Sequence, residues 1–197
     1  MKLIGITGGV ASGKSSVLEI LRQLGARVLD ADSVARDVRE NDPEVRNSIE
    51  KAFGTSKPEE LRRLIFGASP AQVQARLALE RILHPAIQKR STEIFERWRK
   101  DGARYGFYEA ALLIEAGRTQ DFQEIWVVQA PKEKREEWQK SRDKKHGKSP
   151  APILESQSSD DLKRQHATLI LENRGTLKDL TDLVKIQLER LEKETLG

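Results

Sequence analysis

Gly8-Gly9-Val10-Ala11-Ser12-Gly13-Lys14-Ser15 is entered from Lys2-Leu3-Ile4-Gly5-Ile6-Thr7 and left through Ser16-Val17-Leu18-Glu19-Ile20-Leu21. The stretch fits the phosphate-binding loop pattern G-x-x-x-x-G-K-[ST], and its flanks fit as well. Leu3, Ile4 and Ile6 read as a short buried strand. Val17, Leu18, Leu21 and Leu24 recur at helical spacing, and Gly25 stands where a helix C-terminal glycine belongs. Glycines let successive backbone N–H groups turn onto phosphate oxygens where a side chain would block the approach. The following helix points its N-terminal N–H groups at the same anion. In such a loop Lys14 bridges the outer phosphates and the Ser15 hydroxyl ligates Mg²⁺.

Working outward, Arg27-Val28-Leu29 reads as a second strand that runs into Asp30-Ala31-Asp32-Ser33-Val34-Ala35-Arg36. Carboxylates at a strand's C-terminal end lie in the crevice where open α/β sheets bind ligands, here facing a loop expected on the neighbouring strand. One of them suits the Mg²⁺ water shell and the other suits accepting a hydroxyl proton. Spacing equally allows Asp30 or Asp32 to be a plain helix cap. Residues 34–66 read as two or three short helices, broken at Asn41-Asp42-Pro43 and again between Gly54 and Pro58. A longer helical pattern from Ala71 to Lys100 carries Val73, Leu77, Leu83, Ile87, Ile94 and Trp98 as its apolar stripe. His84-Pro85 should kink or divide it. Arg81, His84, Lys89 and Arg90 cluster there, either as a cradle for an anionic acceptor or as a solvated helix face.

Tyr105–Tyr108, Glu124–Val128 and Leu169–Leu171 read as three more strands. Thr176 to Asp179 reads as a capping box before a final helix with Leu177, Leu180, Leu183, Val184, Leu188 and Leu191 on one face. Between them, Lys140 to Lys148 holds five basic residues against Asp143 and ends among Gly147, Pro150 and Pro152. That composition suits a mobile lid that brings arginines to a transferring phosphoryl group, or an ordinary exposed loop. The expected architecture is α/β: a P-loop NTPase fold with a five-stranded parallel sheet. It forms one domain over residues 1–197, with core segments 1–54, 101–137 and 153–197. A helical substrate-binding insertion near 55–100 and a short lid near 138–152 complete it.

The 197 residues carry a net charge of +4 with 34% charged and 5% aromatic residues, and no run of about 18 apolar residues. A membrane span is therefore not expected. The first strand begins too early to leave room for a signal peptide. The absence of cysteine excludes disulfides and thiolate metal sites and suits a reducing, cytoplasmic setting. A basic excess suits polyphosphate ligands. Nucleic acid binding would call for aromatics interleaved with the basic run, where only Trp138 is near. A GTPase switch would call for an N-K-x-D or T-K-x-D motif, which the chain lacks.

These residues resemble the dephospho-CoA kinase family along nearly the whole chain. The family's T-G-G-x-x-x-S-G-K-S is matched by Thr7 to Ser15, and its D-A-D-x-x-A-R by Asp30 to Arg36. L-H-P-x-I is matched by Leu83 to Ile87, part of P-L-L-x-E by Leu112 to Glu115, and N-x-G by Asn173-Arg174-Gly175. The resemblance implies ATP-dependent phosphorylation of the ribose 3′-hydroxyl of dephospho-CoA, with Mg²⁺ and no obligate protein partner. It implies Asp32 as catalytic base, with Lys14 and Arg142 acting on the phosphates. Gly9, Val10, Ala11, Ser12, Gly13, Lys14, Ser15, Ser16 and Asn173 would hold ATP, Ser15 would ligate the metal, and Thr7, Asp30, Arg36 and His84 would meet the acceptor. Departures from the family pattern are Lys57-Pro58, Glu109, Ala111, Arg135, Trp138 and Thr168, and Ala11 where glycine is common. Another small-metabolite or nucleoside monophosphate kinase of the same architecture is the rival reading, and a non-catalytic nucleotide-binding regulator is another.

Overall fold

A computed structural model describes residues 1–146 and 160–194, apart from the side chains of 142–146. The chain divides into two compact units, Met1–Leu29 with Trp98–Gly197, and Asp30–Arg97.

The first unit is a sheet flanked by helices. Its elements are β1 (Lys2–Gly8), α1 (Lys14–Gln23), β2 (Val28–Asp30), β3 (Tyr105–Glu109), β4 (Glu124–Gln129) and β5 (Leu169–Glu172). The spatial order is β2-β3-β1-β4-β5, and the β1–β3, β1–β4 and β4–β5 ladders are parallel. In register, Ile4 pairs with Phe107, Ile6 with Trp126, and Gly8 with Val128. Strand alternation puts these large side chains on one face, where they pack with Val17 and Leu21 of α1. The final helix, numbered in chain order below, adds Leu180, Val184, Leu188 and Leu191 to the same cluster. Fully burying each such side chain stabilises the fold by about 1.5–3 kcal/mol. On the opposite face Gly5 lets Leu113 pack closely: a Cβ there would lie 2.8 Å from Leu113 Cδ1, so a larger residue would require that side chain to shift. Tyr108 stacks on Phe122 there at 5.5 Å.

The order corrects one expectation. β2 is not the neighbour of β1, because β3 lies between them. The carboxylate that ends the strand beside the loop is Glu109, whose register partner is Ile6.

The second unit holds α2 (Ala31–Asn41), α3 (Pro43–Phe53), α4 (Pro58–Ile65) and most of α5 (Pro70–Lys100). Local chemistry sets the boundaries. Asp42 caps α3 by accepting from Glu44 N and Val45 N, Pro43 opens the helix, and Gly54 closes it at φ 70°. Ser69 and Gln72 exchange hydrogen bonds at the start of α5, as in a capping box. Of the two outcomes expected at His84-Pro85, the helix–helix junction does not occur: α5 runs through Pro85 as one helix. Pro85 and Arg81 are both exposed residues, and Pro85 has no N–H to donate to the Arg81 carbonyl one turn before it. The apolar stripe is also displaced: Leu79, Ser91 and Phe95 are the buried positions, and Leu77 is 43% exposed.

Beyond β4 come α6 (Lys132–His146), α7 (Asp160–His166) and α8 (Leu177–Glu194). The basic run from Lys140 is helical as far as His146. The loop expected around Gly147 to Pro152 lies outside the described residues. Thr176 and Asp179 form the expected capping box of α8, while Leu177 is 65% exposed instead of buried.

Candidate active site

The loop between β1 and α1 leaves the C-terminal edge of the central strand. Gly8 has φ 154°, and a Cβ there would run into Val128 O, so close strand packing excludes any side chain. Gly13 has φ 100°, a left-handed backbone. A Cβ at Gly13 would also run into Asn173 Nδ2, so glycine is doubly required. Ala11 is the one non-glycine with positive φ, at 56°, among the described residues. The loop closes on itself through Ser12 N to Gly9 O at 3.3 Å, and α1 starts with Val17 N to Gly13 O at 3.1 Å.

Lys14 Nζ donates to Gly8 O at 2.9 Å and Gly9 O at 3.0 Å, which holds its charge over the strand end of the loop. Ser15 is exposed on the first turn of α1, and Ser16 is half-buried beside it. Ser12 is buried, and its Oγ has no hydrogen-bond partner among the described residues. Val10 lies half-buried in the turn. Asn173 is 7% exposed and donates from Nδ2 to Ser12 O at 3.0 Å, so the turn after β5 braces the loop. Thr7 is buried and donates to Ala111 O at 3.2 Å.

Lys163, and Asp160 as the partner of Arg135, were not anticipated as site elements. Lys163 of α7 is only 1% exposed and bonds Glu115 Oε1 at 2.8 Å and Ala111 O at 3.3 Å. It shares that carbonyl with Thr7 and so fixes the segment after β3. In sequence, Asp160-Asp161-Leu162-Lys163 gives no sign that one lysine is buried. Arg135 of α6 forms a fork with Asp160, Nη2 to Oδ2 at 2.8 Å and Nη1 to Oδ1 at 3.4 Å, directly over Gly9. Thr168, a departure from the family pattern, bonds Ile125 N at 2.8 Å and is part of the β4–β5 edge.

In the helical unit, Asp30 caps α2: its Oδ1 accepts from Asp32 N at 2.9 Å and its Oδ2 from Ser33 Oγ at 2.8 Å. The cap reading therefore holds for Asp30. Asp32 is exposed in the first turn, and Arg36 and His84 are exposed on α2 and α5. Arg90 pairs with Asp37 at 3.1 Å, which takes it out of a free basic cluster. Arg142 lies within α6, and its side chain is outside the described residues. No group of three or more potential metal-ligating side chains occurs among the described residues. One exposed hydroxyl at Ser15 suits Mg²⁺, which keeps waters and arrives on phosphate oxygens instead of in an all-protein cage.

A parallel sheet carrying this loop on its central strand defines a protein of the P-loop nucleotide-binding fold. The dephospho-CoA kinase family model matches residues 2–179. Over 98% of both chains, the sequence is 36% identical to the dephospho-CoA kinase of Geobacter metallireducens. It is 32% identical to that of Dehalococcoides mccartyi, over 98% of this chain and 99% of the relative. A crystal structure from Thermus thermophilus superposes with a TM-score of 0.77 at 33% identity, covering 96% and 97% of the two chains. The chain belongs to the dephospho-CoA kinase family.

Proposed function

We propose that the chain transfers the γ-phosphoryl group of ATP to the ribose 3′-hydroxyl of dephospho-CoA, the last step of coenzyme A synthesis. What carries the reading is a formed phosphate loop combined with Asp30-Ala31-Asp32-Ser33-Val34-Ala35-Arg36 at the end of β2, in a chain of this family. The loop residues Gly9 to Ser16 hold the phosphates through backbone N–H groups and the α1 dipole. Lys14 exchanges the Gly8 and Gly9 carbonyls for the outer phosphate oxygens. Asn173 keeps Gly13 and Ser12 in place. Asp32 accepts the 3′-hydroxyl proton as the ribose oxygen bonds to the γ-phosphorus and the bond to the β-phosphate oxygen breaks, leaving ADP. Asp30 acts on Asp32 through the helix cap. Arg36 and His84, with Thr7, meet the acceptor, and Arg142 stabilises charge on the transferring group. Ser15, together with phosphate oxygens, would hold Mg²⁺, which would supply charge neutralisation. The partners are small molecules, with no nucleic acid or membrane surface involved, and a cysteine-free chain suits the cytoplasm. No helix among the described residues is long and apolar enough to cross a membrane.

The test is ADP release with ATP–Mg²⁺ and, in turn, dephospho-CoA, AMP, shikimate and adenosine. Turnover with dephospho-CoA alone is expected, and turnover with AMP instead would overturn the assignment. Asp32→Asn should lower kcat by roughly 10²–10⁴-fold with ATP affinity little changed. Near-normal turnover would return Asp32 to a purely structural place in α2.

A further inference from the structure

Gly9 lies beneath a guanidinium. Arg135 Nη1 is 2.8 Å from where a Cβ on Gly9 would stand, and Asp160 Oδ1 is 3.2 Å from the same point. The planar carboxylate of Asp160 takes two N–H groups of the Arg135 fork, the geometry in which arginine also binds phosphate. The fork is not fully used: Arg135 Nε is buried and has no hydrogen-bond partner among the described residues. Leaving such a donor unmet is unfavourable unless another state satisfies it.

The position is set by the sheet. Gly8 pairs with Val128, so the chain leaving β4 through Gln129 and Pro131 starts α6 beside the strand end of the loop. Lys14 Nζ sits at that same end, on Gly8 O and Gly9 O. In a loop of this type the lysine marks the side of the outer phosphates, whereas the inner phosphates lie toward the helix N-terminus. Asp160 is thus a negative group resting on the outer-phosphate side and holding an arginine there.

We propose that Arg135 is a phosphate-contacting residue, and that the terminal phosphate of the nucleotide replaces Asp160 as its partner. The assignment rests on the nucleotide reading above and goes beyond it. It makes Arg135, which departs from the family pattern, a source of preference for triphosphate over diphosphate. It also makes Asp160 a competitor whose charge opposes the ligand. The two residues therefore act with opposite signs, which an ion pair serving only as a strap cannot do.

Calorimetric titration with the β,γ-imido analogue of ATP and with ADP, each with Mg²⁺, separates these cases. Arg135→Met should weaken triphosphate binding by roughly 10–100-fold and ADP binding by under about 3-fold, the range for one lost charge-assisted pair. Asp160→Asn should tighten triphosphate binding by about 3–10-fold, and that gain should vanish when Arg135→Met is also present. Arg135→Lys should fall between wild type and Arg135→Met. It carries the test with Asp160→Asn if Arg135→Met fails to fold. Equal losses for ATP analogue and ADP, or weaker triphosphate binding in Asp160→Asn, would overturn the proposal. Lys14→Ala distinguishes the two levels of inference. If wild type binds neither nucleotide, the nucleotide reading itself falls. If wild type binds, Lys14→Ala does not, and Arg135→Met leaves the ATP-to-ADP ratio unchanged, only Arg135 is misassigned.

Discussion

At Ala11 the demands of the loop and the side chain disagree. Its φ of 56° is a left-handed conformation in which a Cβ crowds the following carbonyl. Gly8 and Gly13 avoid that conflict in the same turn, and glycine is common at this position in the family pattern. Ala11→Gly should therefore stabilise the folded state by about 1 kcal/mol, the strain relieved outweighing the flexibility gained by the unfolded chain. Urea unfolding without nucleotide measures this, and an unchanged or lowered midpoint with the same slope would show that the strain is negligible. The requirement at Gly13 is different in kind. There the obstacle is Asn173, a residue 160 positions away that no reading of the loop alone could place. The loop motif was legible because its function fixes residue types at fixed spacing. Its brace Asn173 and the Arg135–Asp160 pair beside Gly9 are brought to it only by the strand order.

At the scale of elements, legibility followed burial. β1 and β4 are buried along almost their whole length and α1 along one face, and the sequence shows both as a short apolar run and a helical apolar stripe. In α5 the period misleads, since the helix is half-exposed along most of its length and passes through Pro85. Helix α7 was hidden for the opposite reason. It has seven residues, most of them charged, yet it carries the buried Lys163. Lys163→Met should lower stability by about 3 kcal/mol, because Glu115 loses this ion-pair partner and Ala111 O loses one of its two donors, Lys163 and Thr7. Glu115 is partly exposed, so its charge can move toward water and the loss should fall at the low end of the range for buried pairs. Adding Glu115→Leu to Lys163→Met should restore most of the stability, since no charge then remains unpaired. Denaturant unfolding of the two single variants and the double variant checks the coupling. Strict additivity would mean that the pair does not interact in the native state.

Across the whole molecule, chemistry and stability occupy opposite ends of the sheet. The phosphate loop leaves the C-terminal edge of β1, while Lys2 at the other end bonds Glu124 at the start of β4. Glu124 also binds Arg190 of α8 at 2.7 Å and Trp126 Nε1 at 2.8 Å, so one carboxylate ties two strands to the final helix. Burial pushes its carboxyl up, but hydrogen bonds from Arg190, Lys2 and Trp126 outweigh that and hold its pKa at about 2, below the usual 4.5. A pKa lower in the folded than in the unfolded state means that the unfolded chain binds the proton more readily. The resulting stabilisation is present in full above about pH 4.5 and is lost as pH falls toward 2. Thermal unfolding between pH 6 and pH 2 should thus show a falling Tm with its steepest part below pH 4.5. Glu124→Gln should be less stable than wild type at pH 6, because three donors lose their charged acceptor, and the gap should narrow as pH approaches 2. Parallel Tm profiles for the two proteins would mean that Glu124 does not govern the acid limb. Lys14 and Ser15 lie at the far end of β1 and α1, so ATP affinity at pH 7 should be the same in both, and a shared loss would mean that the two ends of the sheet are energetically coupled.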